Sequence, residues 1–495
     1  MSPEDWTVSD LLVRGGDQRQ VLDPDTGLSK YRTTARPRPG IPLGSCTASW
    51  PSEMAVRAAE VTLEAWREHR EPELAVDACA SEIRTRLLSL VDLGPEPGVL
   101  LAPSGTDAIY AVSALALRRA GRDRVHHVVV GASELGGGTL SAAQGLTFST
   151  LTPHGGAVEI GQPVAGLAAH CTAEPFYLRQ DEGGRVDLDV VDEQLAKRVR
   201  AAAAEGAAVV VHLVAHSKTG LRAPSLGVVQ ALDAELGDQL LVLVDAAQGR
   251  VAMRDVRRAI GLGFPVLWTG SKFYSGPPFS AALILPPSLA GDPGPLPEGL
   301  SGWLSRADLP YAWDEARESL PTGSNPGLIL RWLMALEETE AYHALPPLRR
   351  ARVYHTFAGA FIEGFGPSPH LHIDLPEPPA HLLASGLGAF PSVFCFRVDG
   401  RQGRLDIAHL KRLYEHLDTD LSAEDPRLST RFHIGQPVSL GPPHGRQNGV
   451  LRVALGARLV TMLHRSSDGG AAWFRARFVE LREKAELLVQ SGRLS

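Results

Sequence analysis

From residue 98 the chain alternates short apolar runs with longer stretches whose apolar residues recur at helical spacing. The runs at 98–102, 125–131, 208–215, 240–245, 264–268 and 279–285 read as buried strands. Between them, 106–120, 187–205, 224–237 and 252–261 carry the three-to-four-residue period of helices. Alternation of this kind predicts an α/β domain, a mostly parallel sheet covered by helices on both faces. Two amphipathic helices precede it, near 52–69 and 76–92. Residues 1–50 are rich in Gly, Pro and Arg and read as an irregular arm. The Pro- and Gly-rich stretch 286–297 closes the large domain. Long helices near 326–342 and 346–364 then lead to a region where short strands (393–398, 450–455) mix with helices (405–417, 470–490). The expected division is an arm at 1–50, a large domain at 51–325, and linking helices with a smaller α+β domain at 326–495.

A chain of 495 residues is too long for one ordinary domain, which fits that division. The net charge of −7 argues against a nucleic-acid or anionic-membrane partner. No apolar run reaches the eighteen or so residues that span a bilayer, and residues 1–6 lack a hydrophobic signal region. Cys46, Cys79, Cys171 and Cys395 are scattered, without metal spacing or a disulfide framework, and read as reduced thiols of a cytoplasmic protein. Lysine is scarce: only Lys30, Lys197, Lys218, Lys272, Lys411 and Lys484 occur, so a lysine at a strand end is informative.

Four segments at strand ends carry candidate chemistry. Ser104-Gly105-Thr106 follows a strand and opens a helix, where free N–H groups and the dipole favour a phosphate; an ordinary N-cap reads the same way. Ala215 to Gly220, with Ser217, follows another strand and suits either a ligand hydroxyl or a plain polar turn. Asp245 and Gln248 end the run 240–244; a buried carboxylate there needs a cationic partner, although an Asp at that place can also cap a helix. Thr269, Ser271 and Lys272 form the tightest group. Two hydroxyls flanking Gly270 can hold a phosphate, and burial turns a lysine into a usable nucleophile and base. The 27 residues from Asp245 to Lys272 fit one strand–helix–strand crossover, which sets acid and amine at one sheet edge. A pyridine cofactor requires that pair: an amine for its aldehyde and an acid for its ring nitrogen.

In this order and spacing the segments resemble those of the fold-type I pyridoxal-phosphate enzymes, the aspartate-aminotransferase-like superfamily, nearest to its class V aminotransferases. The resemblance spans roughly residues 50–490 and implies a seven-stranded sheet, pyridoxal 5′-phosphate as cofactor and a homodimer with interfacial sites. It assigns Ser104, Gly105, Thr106, Thr269 and Ser271 to the phosphate, Ser217 to the ring hydroxyl, Asp245 and Gln248 to the ring, and Lys272 to the Schiff base. Thr322 and Ser324 would reach the partner subunit's phosphate, and Arg452 would clamp the substrate carboxylate through two parallel hydrogen bonds; an exposed structural arginine is the alternative. The implied reaction is conversion of an amino acid through an external aldimine, with Lys272 removing the α-proton. Transamination is the leading expectation. The alternative is β- or γ-elimination or replacement, with possible carbon–carbon bond formation on a bulky substrate; a cofactor-sensing regulator lacks the DNA-binding segment it would need. Three departures stand out. Ser217 replaces the usual Asn, and Ser271 replaces the His that desulfurases carry before the lysine. Gly136-Gly137-Gly138 occupies the loop that supplies a ring-stacking side chain, so either the site is open or another segment, such as 45–50, covers the ring.

Overall fold

The computed structural model describes residues 5–494 apart from 182, 375–390, 402 and 442–447. The arm is less irregular than its composition suggests. It holds a short helix, Val8–Leu12, and a strand, Ile41–Leu43 (β1).

The large sheet contains Gly98–Ala102 (β2), Val125–Val130 (β3), Cys171–Phe176 (β4), Ala208–Val214 (β5), Leu240–Ala246 (β6), Val266–Thr269 (β7) and Ala281–Leu285 (β8). Their order across the sheet is β2-β8-β7-β6-β5-β3-β4, and only β8 runs against its neighbours. The seven-stranded, mostly parallel sheet is therefore present. Six strands coincide with the apolar runs, because β5 to β8 are buried at every residue. The seventh, β4, is hidden in sequence. It is an edge strand reading CTAEPF, buried only at its two ends. An edge strand tolerates both polar side chains and a proline, so it leaves no apolar run.

The smaller sheet comprises β1 with Leu371–Asp374 (β9), Val393–Gly400 (β10), Gly403–Arg404 (β11), Phe432–Ser439 (β12) and Gly449–Ala454 (β13). Its order is β1-β12-β13-β10-β11, with β9 also on β10. β1 pairs parallel to β12, with Ile41 opposite Phe432, which joins the arm to the far end of the chain. Helices Pro347–Phe365 and Ala471–Gln490 pack together through Phe357, Phe361, Phe365, Phe474 and Phe478, with ring centroids 4.6–6.2 Å apart. Edge-on and stacked pairs of this kind add to simple area burial.

Helix Pro326–His343 ties these parts together. Its Arg331 is fully buried and donates to the carbonyls of Leu11, Arg14, Gly15 and Phe279. The arm is thereby fixed against the segment that follows β7. Among the described residues no helix is long and apolar enough to cross a membrane.

Candidate active site

A cavity of ≈ 620 Å³ opens where β2, β3, β5, β6 and β7 end. Open parallel sheets bind ligands at this edge. Arm residues, including Tyr31 and Cys46, and the small-domain residues Gln436 and Arg452 complete its wall.

The β6–β7 side matches the sequence reading closely. Asp245 is the penultimate residue of β6, paired with Leu267 of β7. Its carboxylate accepts from the Ala247 N–H at 3.0 Å. Burial raises its pKa, while that hydrogen bond and the Lys272 charge oppose the rise. Lys272 follows β7 and faces the same cavity. Burial lowers its amine to about 8, against the pull of Asp245. The lysine loop is rigid for identifiable reasons. Phe273 N–H donates to Gln248 O and Ser275 N–H to Lys272 O. A Cβ on Gly276 would stand 2.5 Å from the Ala335 Cβ, so only glycine lets the loop lie on the helix Pro326–His343. Ser275 and Phe279 take left-handed φ values of 61° and 70°, backbone strain of the kind that gathers at sites of function.

Helix Gly105–Ala120 starts at the cavity and is capped by Ser104. The Ser104 hydroxyl does not face an anion. It donates to Asp107 Oδ2 at 2.5 Å, and the Ser104 N–H donates to the same oxygen, closing a capping box. The N–H groups of Gly105 and Thr106 find no protein acceptor among the described residues, so the anion-binding end of the helix is intact without the serine side chain. A Cβ on Gly105 would meet Leu267 Cδ2 at 2.9 Å, so a larger residue there would have to push that side chain aside. Thr269 also departs from expectation: its hydroxyl donates to Ala247 O at 2.7 Å and is not free to donate to a phosphate. Ser271 lines the cavity with its hydroxyl uncommitted among the described residues. Gln248 lines it too, but its amide donates to Cys46 O at 3.1 Å and holds the arm.

The β3–β5 side is where the structure parts from the expected pattern. Ser217 turns away from the cavity and donates to Glu134 Oε2 at 2.5 Å. Thr219 donates to the same oxygen. Arg179 pairs with Glu134 Oε1 at 2.5 Å, and both side chains are almost wholly buried. Burial opposes the Glu134 charge, yet the Arg179 guanidinium and the two hydroxyls hold its carboxyl below the usual range. Lys218, the next residue after Ser217, enters the cavity instead. Burial brings its amine to about 7, with Arg452 and Lys272 adding to the effect. His216 also lines the cavity; burial keeps its ring neutral.

Arg452 on β13 lines the cavity but is 2% exposed. It donates to Gln436 O, Cys46 O, Lys218 O and Thr47 Oγ1. Thr322 is exposed and Ser324 partly so, and neither borders the cavity within one chain. At the loop of three glycines, Phe148 approaches closely: a Cβ on Gly138 would fall 2.6 Å from its Cβ. Phe148 and Ile160 supply the apolar surface there, and Cys46 and Thr47 come from the 45–50 segment. Sequence reasoning missed Glu134, Arg179 and Phe148, which belong to no strand-end motif. It also passed over Lys218 as part of a polar turn, although its scarcity and its place after β5 parallel those of Lys272.

No protein-family model and no curated protein matches this sequence. Solved structures share its fold across most of the chain. Mouse CSAD aligns with a TM-score of 0.53 at 17% identity, over 91% of this chain and 84% of that one. The cysteine desulfurase CsdA from Escherichia coli gives 0.52 at 15%, over 91% and 95%. Oryza sativa TDC with PLP gives 0.52 at 13%, over 89% and 82%. The chain thus shares the α/β fold of these structures.

Proposed function

We propose that this protein is a pyridoxal-phosphate-dependent enzyme that transforms an amino acid, with Lys272 as attachment point and α-proton base. The observation that carries this reading is the pair Asp245–Lys272. Acid and amine stand at the ends of neighbouring parallel strands and face one cavity. The remaining residues fit the cofactor. The uncommitted N–H groups of Gly105 and Thr106 and the hydroxyl of Ser271 suit its phosphate. The buried Asp245 carboxylate suits a protonated ring nitrogen, the cationic partner its burial demands.

When bound, this cofactor supplies an electron sink for charge generated at the substrate α-carbon. The chain's own groups do the rest. Lys272, its amine made a usable base by burial, takes the α-proton and can return it at another carbon. Asp245 keeps the proton on the ring nitrogen. The N-terminal end of helix Gly105–Ala120 would hold the phosphate through its dipole and its uncommitted N–H groups. Transamination is the reaction we favour. The apolar, glycine-lined wall at Phe148 and Ile160 favours, as a second reading, elimination or replacement on a bulkier amino acid. The four free cysteines suit a reducing, cytoplasmic setting. We also propose a homodimer, in which Thr322 and the partly exposed Ser324 face the partner's site; sedimentation as a single chain would remove this part.

Borohydride reduction of protein reconstituted with pyridoxal phosphate, followed by peptide mapping, tests the central assignment. The cofactor should be fixed on Lys272. Fixation on Lys218, or none, overturns it.

A further inference from the structure

Two cations of the cavity compete for the role of carboxylate receptor, and their hydrogen bonds separate them. A guanidinium has five N–H donors and no acceptor. Arg452 uses all five on the protein. Its Nε donates to Gln436 O at 3.0 Å. Its Nη1 donates to Cys46 O at 3.5 Å and to Lys218 O at 3.2 Å. Its Nη2 donates to Thr47 Oγ1 at 2.9 Å and to Gln436 O at 2.7 Å. A carboxylate could engage Arg452 only by displacing acceptors that it already satisfies, which is costly. The Lys218 ammonium has no hydrogen bond or ion pair among the described residues. The acid beside it, Glu134, is already occupied by Arg179, Ser217 and Thr219. Lys272 is reserved for the aldehyde. Arg19 is paired with Asp17, and Lys30 is exposed at the rim.

We propose that Lys218, not Arg452, receives the carboxylate of the substrate, and that Arg452 holds the Lys218 turn by its backbone carbonyl. This rests on the amino-acid reading above. Strand order supports it. Lys272 follows β7, Asp245 closes β6 and Lys218 follows β5, and these three strands are adjacent. A substrate joined near Lys272 thus has the end of β5, where Lys218 stands, as the next strand end but one across the cavity. The lowered amine pKa agrees: burial and two neighbouring cations disfavour its charge, and an arriving carboxylate restores it.

The test uses the holoenzyme and a panel of L-amino acids with their carboxamides, titrated at equilibrium through the absorbance of the bound cofactor. In the unaltered protein the acid should bind more tightly than its amide. K218M should weaken the acid by roughly ten- to a hundredfold, the scale of one charge-assisted hydrogen bond, and reduce that preference. K218R should restore much of it. R452K should weaken acid and amide together. Loss of the preference in R452K with its retention in K218M overturns the proposal. So does a K218M protein that no longer holds cofactor, since Lys218 would then serve the cofactor. Borohydride fixation on Lys272 in K218M shows that the underlying reading stands. Failure of every amino acid to perturb the unaltered holoenzyme instead defeats that reading.

Discussion

The two walls of the cavity have been treated differently. On the β6–β7 wall, Asp245 and Lys272 keep the residue types and spacing that pyridoxal chemistry requires. On the β3–β5 wall, the hydroxyl of Ser217, expected at the ring, is absorbed into a buried network with Glu134, Arg179 and Thr219. An uncommitted lysine stands beside it. Under the proposed function, the chemical step would constrain the first wall. The other wall is free to be rebuilt, provided its polar groups satisfy one another.

The sharpest break in the comparison comes from the first wall. Lys272→Ala should lower α-proton exchange by roughly 10²–10⁴-fold, the usual worth of a positioned acid–base group. Solvent-deuterium incorporation into the substrate measures it. A loss below tenfold would move the proton transfer elsewhere.

On the second wall the expected damage is to stability. Glu134→Ala leaves the Arg179 guanidinium buried without its carboxylate, which costs about 3–5 kcal/mol. Denaturant unfolding should show this, and Glu134→Leu with Arg179→Met should recover most of it. Equal stability of the single and double variants would mean that the network is not coupled.

A smaller effect depends on pH and also belongs to the second wall. His127 of β3 and His212 of β5 face each other at 3.2 Å inside the core. Burial holds His127 well below its ordinary value and His212 down to about 4. The unfolded chain therefore binds more protons than the folded one between about pH 6.5 and 4. Stability is complete above about 6.5 and falls as the pH drops through this window, by roughly 3 kcal/mol for His212. Unfolding midpoints at pH 7.5 and 5.0 check the sign. His212→Leu should flatten the dependence.

Legibility followed the same division. β5, β6 and β7 were visible because strands buried on both faces are mostly apolar, and the residues at their ends inherit a fixed register. Asp245 and Lys272 could be paired for that reason. β4 was not visible, because an edge strand need not be apolar. Neither were the partners of Glu134, since a side chain that pairs with Arg179, 45 residues away, leaves no periodic trace. The hydrogen bonds of Ser104 and Thr269 were hidden in a related way. Sequence shows which donors are present, and only the fold shows which are already spent on Asp107 and Ala247. Lys218 was legible in principle, as one of six lysines and one that follows a buried strand.

The pairing of β1 with β12 has a consequence for the order in which the molecule can be made. Strand β1 and the arm around it cannot find their places until β12 has been synthesised. The bond from Gln436 Nε2 to Lys30 O, for instance, joins residues 406 apart. Contacts of such separation form late, after loop closure has been overcome. On the ribosome the large sheet can assemble first, with its strand ends open to water. The cavity receives its last wall only when β12 and β13 emerge and the arm folds back, so a nascent chain stalled before residue 432 should hold Lys272 and Asp245 in an unfinished, solvent-filled cleft.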